Sequence, residues 1–461
     1  MAKCRFILAL WVAKLSIIAL KLTGHKGTDF PGAIALKICP EFLKYIGKPK
    51  KIIAVTGTNG KTTVNNLIID AFKSEGITVV NNNAGSNINS GIATSLIRSA
   101  SLFGKCKWEI GSFEIDERSA RRVFPHMKPE YMIITNLSRD SIMRNAHPEY
   151  ISSILTKYIP KETKLIVNAD DLFCSMIAPD NDRVYFGIER MASDKDVSDN
   201  LINDFQICPD CHAKLKYEYV RYSHIGCAYC PDCGFHAPKY DYTGCDVNLE
   251  SMSITVKEAD GSETYPLLNN SVYNIYNVLS VVVLFREMGY DRDRIKAFLE
   301  KIDIVGTRFD AETIGDKTVY MMLAKEKNAF GTSRVFDYIS QQPGDKEIIL
   351  ANSCQGDARN WSENTCWMYD CDFEMLNNDS IKNIIVTGPR GKDHKLRLLL
   401  AGVDEDRISY TANEMDSPDM AKLFANDNIY VLYGTDSIGL GKKIGNKVKD
   451  IIRNGEGSVS A

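Results

Sequence analysis

Two groups of residues have the types and spacing to do chemistry. The first is Thr56-Gly57-Thr58-Asn59-Gly60-Lys61-Thr62-Thr63. Glycine lets backbone N–H groups approach an anion, a helix N-terminus adds partial positive charge, and a lysine placed at once after the turn reaches the β- and γ-phosphates of a nucleotide. Gly57, Thr58, Asn59, Gly60, Lys61, Thr62 and Thr63 are therefore the expected ATP-binding loop, with Thr62 offering its hydroxyl to Mg²⁺. The general motif also asks for glycine five residues before Gly60, where Val55 stands. The second group is Cys208-Pro-Asp-Cys211 and Cys230-Pro-Asp-Cys233, two C-x₂-C knuckles eighteen residues apart. That is ribbon spacing, and four thiolates around Zn²⁺ leave no open position, so the expected zinc is structural. His224 and Cys227 lie close enough in sequence to replace a ligand, but the symmetry of the knuckles favours the other four.

Acids and amides supply the rest. Phe113-Glu114-Ile115-Asp116-Glu117 brings three carboxylates after an apolar approach. One of them near a γ-phosphate would complete Mg²⁺ coordination, since Mg²⁺ takes oxygen ligands; an exposed acidic helix start is the competing reading. Asn136 and Asp140, after an apolar run, are candidates for holding substrate or metal. Asn168 and Asp171 read equally as nucleotide-pocket residues and as helix caps.

These side chains need strands and helices to aim them. IIAVTG (52–57) is an apolar, β-branched run ending in glycine and reads as a buried strand. VNNLIIDAFKSEG (64–76) has apolar residues at 64, 67, 68, 71 and 72, which is helical spacing, and ITVVNN (77–82) follows as a strand. YMIITNL (131–137) and KLIVNADD (164–171) are further strands with polar tips. The alternation predicts an α/β fold with a mostly parallel sheet, and ligands at the carboxyl ends of its strands. After the polar stretch 192–200 cysteines and aromatics take over until about Tyr240. VNLESMSITVKEADGSETYPL (247–267) reads as a hairpin around Asp260-Gly261, and a helix is expected at 273–288. EIILAN (347–352), IKNIIVTG (381–388) and IYVLYG (429–434) repeat the strand-then-turn pattern. The expected organisation is an N-terminal helical segment (1–50), an ATP-binding domain (51–310) with a zinc ribbon inserted at 205–240, and a Rossmann-like C-terminal domain (311–461).

Composition sets the bounds. The chain has 461 residues, 44% hydrophobic and 25% charged, with 56 basic against 59 acidic residues and a net charge of -3. That excludes wholesale disorder, and the balance excludes a dedicated nucleic-acid coat, which would be strongly basic. Five of the 13 cysteines fall between Cys208 and Cys233, a clustering that reads as a metal site in a reducing compartment rather than a disulfide framework. FILALWVAKLSIIAL (6–20) is apolar but carries Lys14 in mid-run, and no A-x-A-like cleavage site follows. A central lysine is expensive in a spanning helix, so the segment is expected to pack on the protein or to lie at a membrane surface.

The loop variant Gly57-Thr58-Asn59-Gly60-Lys61-Thr62-Thr63 resembles the ATP-binding loop of the Mur ligases and folylpolyglutamate synthases, which activate a carboxylate as an acyl phosphate and let an amine attack it. The likeness continues in order through GTDFPG (27–32), GSNINSGIAT (85–94), FEIDE (113–117), TNLSRD (135–140), NADD (168–171), YNIYN (273–277), the cysteine module, LAKEKNAFG (323–331), VTGPRGKD (387–394) and the strand and threonine at 429–435. It covers nearly the whole chain and is similar to the branch of the Mur ligases that amidates lipid II. The resemblance implies a Mur-ligase-like P-loop ATPase domain followed by a Rossmann-like domain. It implies ATP-dependent conversion of the D-glutamate α-carboxylate of lipid II to D-isoglutamine, with ammonia from a GatD-like glutamine amidotransferase subunit. ATP, Mg²⁺ and structural Zn²⁺ are the implied cofactors, no nucleic acid is involved, and the implied location is cytoplasmic, at the inner face of the membrane.

Residue by residue, the resemblance makes Lys61 and Glu114 catalytic, with Glu114 and Thr62 on Mg²⁺. It brings Asn277 to the adenine base, Arg308 to phosphate, and Lys325 to the start of the C-terminal domain. The family also lends an aspartate to its partner's Cys-His pair. Counted forward from Asn352 the nearest residue is Asp357; counted back from Glu374 the place falls on Asn364, and an amide cannot stabilise an imidazolium as a carboxylate does. Either Asp357 has the role or the role is lost. Glu326-Lys327 stand where the family has Asn-Pro. No G-x-C-x-G turn presents a glutaminase nucleophile, so ammonia is expected from another chain or from solution. Competing readings are a stand-alone Mur-type amino-acid ligase using another amine, and a non-catalytic ATP-binding scaffold.

Overall fold

Ala2–Leu22 contains no glycine or proline and forms a single helix. It stops at Gly24, whose φ of +74° suits the left-handed turn, with His25 N–H donating to Leu20 O at 2.9 Å and Gly24 N–H to Lys21 O at 3.2 Å. The computed structural model describes residues 2–25, 27–83, 86–139, 147–268, 271–302, 309–324, 328–351, 365–423, 427–435 and 437–459. One face of the first helix buries Phe6, Ala9, Leu10 and Ala13, and Phe6 packs against Phe42 with tilted rings, centroids 5.2 Å apart. Lys14, the residue that argued against a membrane span, donates to Ile97 O at 2.9 Å and Ala100 O at 2.7 Å. These carbonyls lie at the end of the helix Asn89–Ser99, where a cation is favoured. The opposite face leaves Leu8, Trp11, Leu15, Ile18 and Leu22 exposed. Among the described residues no helix is long and apolar enough to cross a membrane.

The chain folds into two compact units: Met1–Ser138, Pro148–Asp199 and Asn203–Asp303 make the first, and Arg139–His147, Asn200–Ile202 and Ile304–Ala461 the second. In the first unit β1 (Lys51–Thr56), β2 (Val79–Asn81), β3 (Ile110–Glu114), β4 (Tyr131–Ile134), β5 (Lys164–Asn168) and β6 (Arg183–Ile188) are parallel. A hairpin, β7 (Lys216–Tyr222) and β8 (Ile225–Tyr229), forms a sheet of its own. Then β9 (Tyr242–Asn248) joins β6 in parallel, and β10 (Ser253–Glu258) and β11 (Gly261–Pro266) extend the edge antiparallel. The order of the nine is β11-β10-β9-β6-β5-β4-β1-β3-β2. β1 therefore lies between β3 and β4, where the winding reverses, and a crevice opens at its carboxyl end. Ile52, Ile53, Ala54 and Val55 are all buried because both faces of β1 are covered, so an unbroken apolar run is the right sequence for it.

The hairpin β7–β8 is fixed to this unit by Arg221, only 1% exposed. Its guanidinium pairs with Asp170 at 3.0 Å and Asp194 at 2.7 Å and meets the Tyr276 hydroxyl. Removing one partner of such a buried set costs roughly 3–5 kcal/mol, because an unpaired charge stays behind.

The second unit is a six-stranded sheet, β12-β13-β17-β14-β15-β16. Its strands are β12 (Phe309–Ile314), β13 (Lys317–Leu323), β14 (Lys346–Ala351), β15 (Ile381–Thr387), β16 (Ile408–Thr411) and β17 (Asn428–Tyr433). All neighbours are parallel except β12 and β13, a hairpin turning at Gly315 with φ +59°. Along β14, Ile348 and Leu350 join one apolar cluster and Ile349 and Ala351 another. That alternation puts a core on each face. Phe336 and Leu398 come from helices on one side, and Ile444, Val448 and Ile452, at spacing of four, from the last helix on the other.

Candidate functional site

The turn after β1 is built to lie against the tip of β4. Gly57 has φ +125°, and a Cβ there would come within 2.2 Å of Thr135 Oγ1 and 2.8 Å of Asn136 O. Only glycine lets the backbone approach so closely. Thr58 N–H donates to Asn136 O at 2.7 Å, Asn59 N–H donates to Asn136 Oδ1 at 3.1 Å, and Asn136 Nδ2 donates back to Asn59 O at 3.0 Å. Thr135 Oγ1 donates to Asn59 O at 2.7 Å. Asn136, a candidate for substrate or metal, is thus occupied in holding the loop. Gly60, at φ +88°, stands before the first residue of the helix Lys61–Ser74, so the loop delivers its backbone to a helix N-terminus.

Four side chains converge there. Thr62 Oγ1 donates to Glu114 Oε2 at 2.7 Å. Glu114 ends β3, its Oε1 accepts from Asn87 Nδ2 at 2.9 Å, and its N–H donates to Asn82 Oδ1 at 2.9 Å. Lys61 Nζ touches Gly57 O and pairs with Glu117 at 2.8 Å, the two side chains being 13% and 3% exposed. Burial alone would depress the Lys61 ammonium, but Glu117, Glu114 and Asp116 outweigh it and hold it above its ordinary value. The sequence pointed to this segment, and within it the structure pairs Lys61 with Glu117, three residues beyond Glu114. The spacing of FEIDE, acids at 114 and 117, was the available signal. Asn82, which aims Glu114 together with Asn87, had none, while Asn87 stood in GSNINSGIAT (85–94) without an assigned role.

The donor set fits a magnesium nucleotide. Thr62 Oγ1 and Glu114 Oε2 are hard oxygen ligands, and their 2.7 Å separation is close to the roughly 2.9 Å edge of an octahedron with 2.0–2.1 Å metal–oxygen bonds. Thr63 lies in the first turn of the same helix. Asn277, on the helix Val272–Glu287, is buried against the loop; a Cβ on Gly60 would meet its Oδ1 at 2.3 Å. Asp171 is a helix cap, accepting from Phe173 N–H at 2.9 Å, and Asn168 Nδ2 donates to Thr135 O at 3.1 Å. Arg308, Lys325, Asp357, Asn364 and Asp140 lie outside the described residues.

The cysteine module folds as two like halves. Cys208 N–H donates to Ala213 O at 2.8 Å and Cys230 N–H to Phe235 O at 2.7 Å; His212 N–H returns to Cys208 O and Gly234 N–H to Cys230 O, both at 3.1 Å. His212 and Gly234, at the same place in each knuckle, both have positive φ, +64° and +79°. The sulfurs of Cys208, Cys211, Cys230 and Cys233 lie within 4.8 Å of one another, with Cys208–Cys233 at 3.6 Å and Cys211–Cys230 at 3.5 Å. Tetrahedral zinc with 2.3 Å bonds to sulfur needs about 3.8 Å, so the four fit that ion. Cys227 and His224 are not in this group. His224 is buried, 3.4 Å from Asp171 Oδ1 and edge-on to Phe173.

Known proteins bear on this arrangement. The model of the Mur ligase middle domain matches residues 55–209, and that of the MurT ligase C-terminal region matches residues 326–435. The lipid II isoglutaminyl synthase (glutamine-hydrolyzing) subunit MurT of Staphylococcus aureus (strain COL) is 32% identical over 420 residues, 88% of this chain and 92% of its own. The subunit of the same name from Streptococcus pneumoniae is 30% identical over 398 residues, 84% of this chain and 85% of its own. Among solved structures, a pseudomurein peptide ligase type C from Methanothermus fervidus is similar with a TM-score of 0.62 and 21% identity, covering 89% of this chain and 81% of that one. MurF from Acinetobacter baumannii gives a TM-score of 0.59 at 14% identity, over 90% and 80%. The structural likenesses carry the fold, which is the Mur-ligase-like α/β architecture expected from the sequence.

Proposed function

Because the chain belongs to the Mur ligase family, in the branch of the MurT subunits, we propose that it is the ATP-dependent ligase subunit that amidates the D-glutamate α-carboxylate of lipid II in peptidoglycan synthesis. The observation that carries the reading is the meeting of Lys61, Thr62 and Glu114 at the end of β1. In this reading the γ-phosphoryl group of ATP passes to the carboxylate, and ammonia displaces phosphate to leave D-isoglutamine. The backbone of Gly57–Gly60 and the helix N-terminus hold the phosphates, Lys61 offsets charge building on the transferred group, and Asn277 and Arg308 complete the nucleotide site. Thr62 and Glu114 would hold Mg²⁺, which neutralises phosphate charge when bound. Zn²⁺ on Cys208, Cys211, Cys230 and Cys233 would be structural.

Ammonia comes from a GatD-like glutaminase subunit, whose catalytic pair Asp357 completes. The protein works on the cytoplasmic side, at the inner face of the membrane where a lipid-linked substrate is reached. The exposed Leu8, Trp11, Leu15, Ile18 and Leu22 support that placement, with Lys3 and Lys21 on a flank and no acid before Asp29. The test is a reconstitution of the full chain with a glutaminase, glutamine, ATP and lipid II, read by mass spectrometry of the stem peptide. Amide formation that Lys61→Ala and Glu114→Gln each abolish is expected. Undiminished amidation in Lys61→Ala would overturn the assignment, and glutamine-dependent amidation that is equal with and without the glutaminase would overturn the partner.

A further inference from the structure

Cysteine or histidine recurs at every third position from Cys227 through Cys230 and Cys233 to His236. The fold sorts this series into two sets. Cys230 and Cys233 turn into the ribbon with Cys208 and Cys211, whereas Cys227 and His236 meet Glu218, their ligand atoms within 4.8 Å of one another. Three adjacent extended segments supply them. Cys227 lies on β8 opposite Tyr219 of β7, and the register slips between Tyr217 and Tyr219. Glu218 is the extra residue of that bulge. In a regular strand its side chain would leave on the face opposite Tyr219; the bulge turns it to the face of Cys227. His236 comes from beyond the second knuckle, bridged to Tyr229 at the end of β8, while Ala237 N–H donates to Ala228 O at 2.8 Å.

The hydrogen bonds of His236 point to a cation. Its Nδ1 is 3.0 Å from Ala237 O, and a carbonyl only accepts, so Nδ1 carries the proton. In the neutral ring Nε2 then presents a lone pair. It faces Glu218 Oε1 at 3.1 Å, where acceptor meets acceptor unless a proton or a metal lies between, with Cys227 Sγ 4.0 Å away on the same side. Backbone anchoring of the far nitrogen is the usual support of a metal-binding histidine. Tetrahedral bonds of 2.3 Å to sulfur and 2.0–2.2 Å to nitrogen and oxygen ask for ligand separations of about 3.3–3.6 Å, between the two observed distances. A thiolate and an imidazole select a zinc-class ion over Mg²⁺ or Ca²⁺.

We propose that Glu218, Cys227 and His236 form a second divalent transition-metal site on the outside of the ribbon, distinct from the four-cysteine centre. Three protein ligands leave a fourth position, and with His236 47% and Glu218 56% exposed it opens to solvent. The site is therefore of the exchangeable kind, able to take water or an external donor, where the ribbon centre is closed.

The test is metal content of the full chain, reduced and saturated with Zn²⁺ and then freed of loose ion, beside a titration with Co²⁺. Glu218→Gln with His236→Gln changes only exposed side chains and leaves the knuckles intact. The wild type is expected to hold one metal equivalent more than this double variant, and to lose in it a weak thiolate-to-cobalt absorption carrying a single sulfur. The intense four-sulfur absorption of the ribbon is expected in both proteins, since neither substitution touches Cys208, Cys211, Cys230 or Cys233. Equal metal content and one common cobalt spectrum in wild type and Glu218→Gln/His236→Gln would overturn the proposal, leaving an ordinary His236–Glu218 ion pair. The comparison is between those two proteins, so it stands whether or not the ligase reading holds.

Discussion

Replacing Lys61 by alanine should damage two properties that a second substitution can separate. The ammonium and the Glu117 carboxylate are 2.8 Å apart with little exposure, so Lys61→Ala leaves a charge in the interior without its partner. Breaking a buried pair in this way costs about 3–5 kcal/mol. Burial already pushes the Glu117 carboxyl up, and Lys61 is the main influence opposing it. Without Lys61 the folded protein binds a proton at Glu117 more readily than the unfolded chain does. Stability of the variant then rises as pH falls toward the ordinary carboxylate range near 4.3, and declines as pH rises above it. Urea unfolding of Lys61→Ala from pH 7 down to 5 should therefore show a deficit that shrinks on the acid side. Lys61→Ala with Glu117→Gln should recover most of the stability at pH 7 and none of the ATP-dependent turnover. A single variant as stable as wild type at pH 7 would refute the buried pair, and a double variant that turns over ATP would refute the role of Lys61.

Three further outcomes follow. Chelation of metal from the ribbon should disorder the hairpin β7–β8 and release Arg221 from Asp170 and Asp194, read as a loss of tyrosine circular dichroism and faster amide exchange across β7; unchanged exchange would count against it. Trp11→Glu with Leu15→Glu, both on exposed positions, should abolish co-sedimentation with anionic vesicles while leaving nucleotide binding intact; equal sedimentation would remove the support for a membrane-facing helix. In the second unit burial lowers His394 to about 4, and its Nδ1 donates to Arg390 O at 3.0 Å. Its depressed value means the unfolded chain binds the extra proton first, so stability falls as pH drops from about 6.5 toward 4, by about 3 kcal/mol in all. His394→Gln should flatten that slope in urea titrations between pH 6.5 and 4; an unchanged slope would assign it elsewhere.

Local pattern settled a good deal. The run of apolar residues before Gly57, the helical spacing at 64–72 and the two C-x₂-C knuckles each contain their own physical reason: a strand covered on both faces, a helix with one buried stripe, two turns that each aim a pair of thiols. β14, β15 and β17 were legible for the same cause, being buried on both sides. The strands β3, β6, β12 and β16 were not, because their pairing depends on neighbours remote in the chain.

What tertiary structure alone decided is partnership. That Lys61 takes Glu117 and Thr62 takes Glu114 follows from β1 and β3 lying side by side, a pairing between segments more than fifty residues apart that no local rule contains. Lys14 spoke in the sequence only as a flaw in an apolar run; in the fold it caps the end of another helix. The cysteines show the division most clearly. Their spacing called for metal, but which of Cys227, Cys230, Cys233 and His236 share a site was set by one bulge in β7 and one bridge to β8, since a strand shows a side chain to one face or the other only after its register is known.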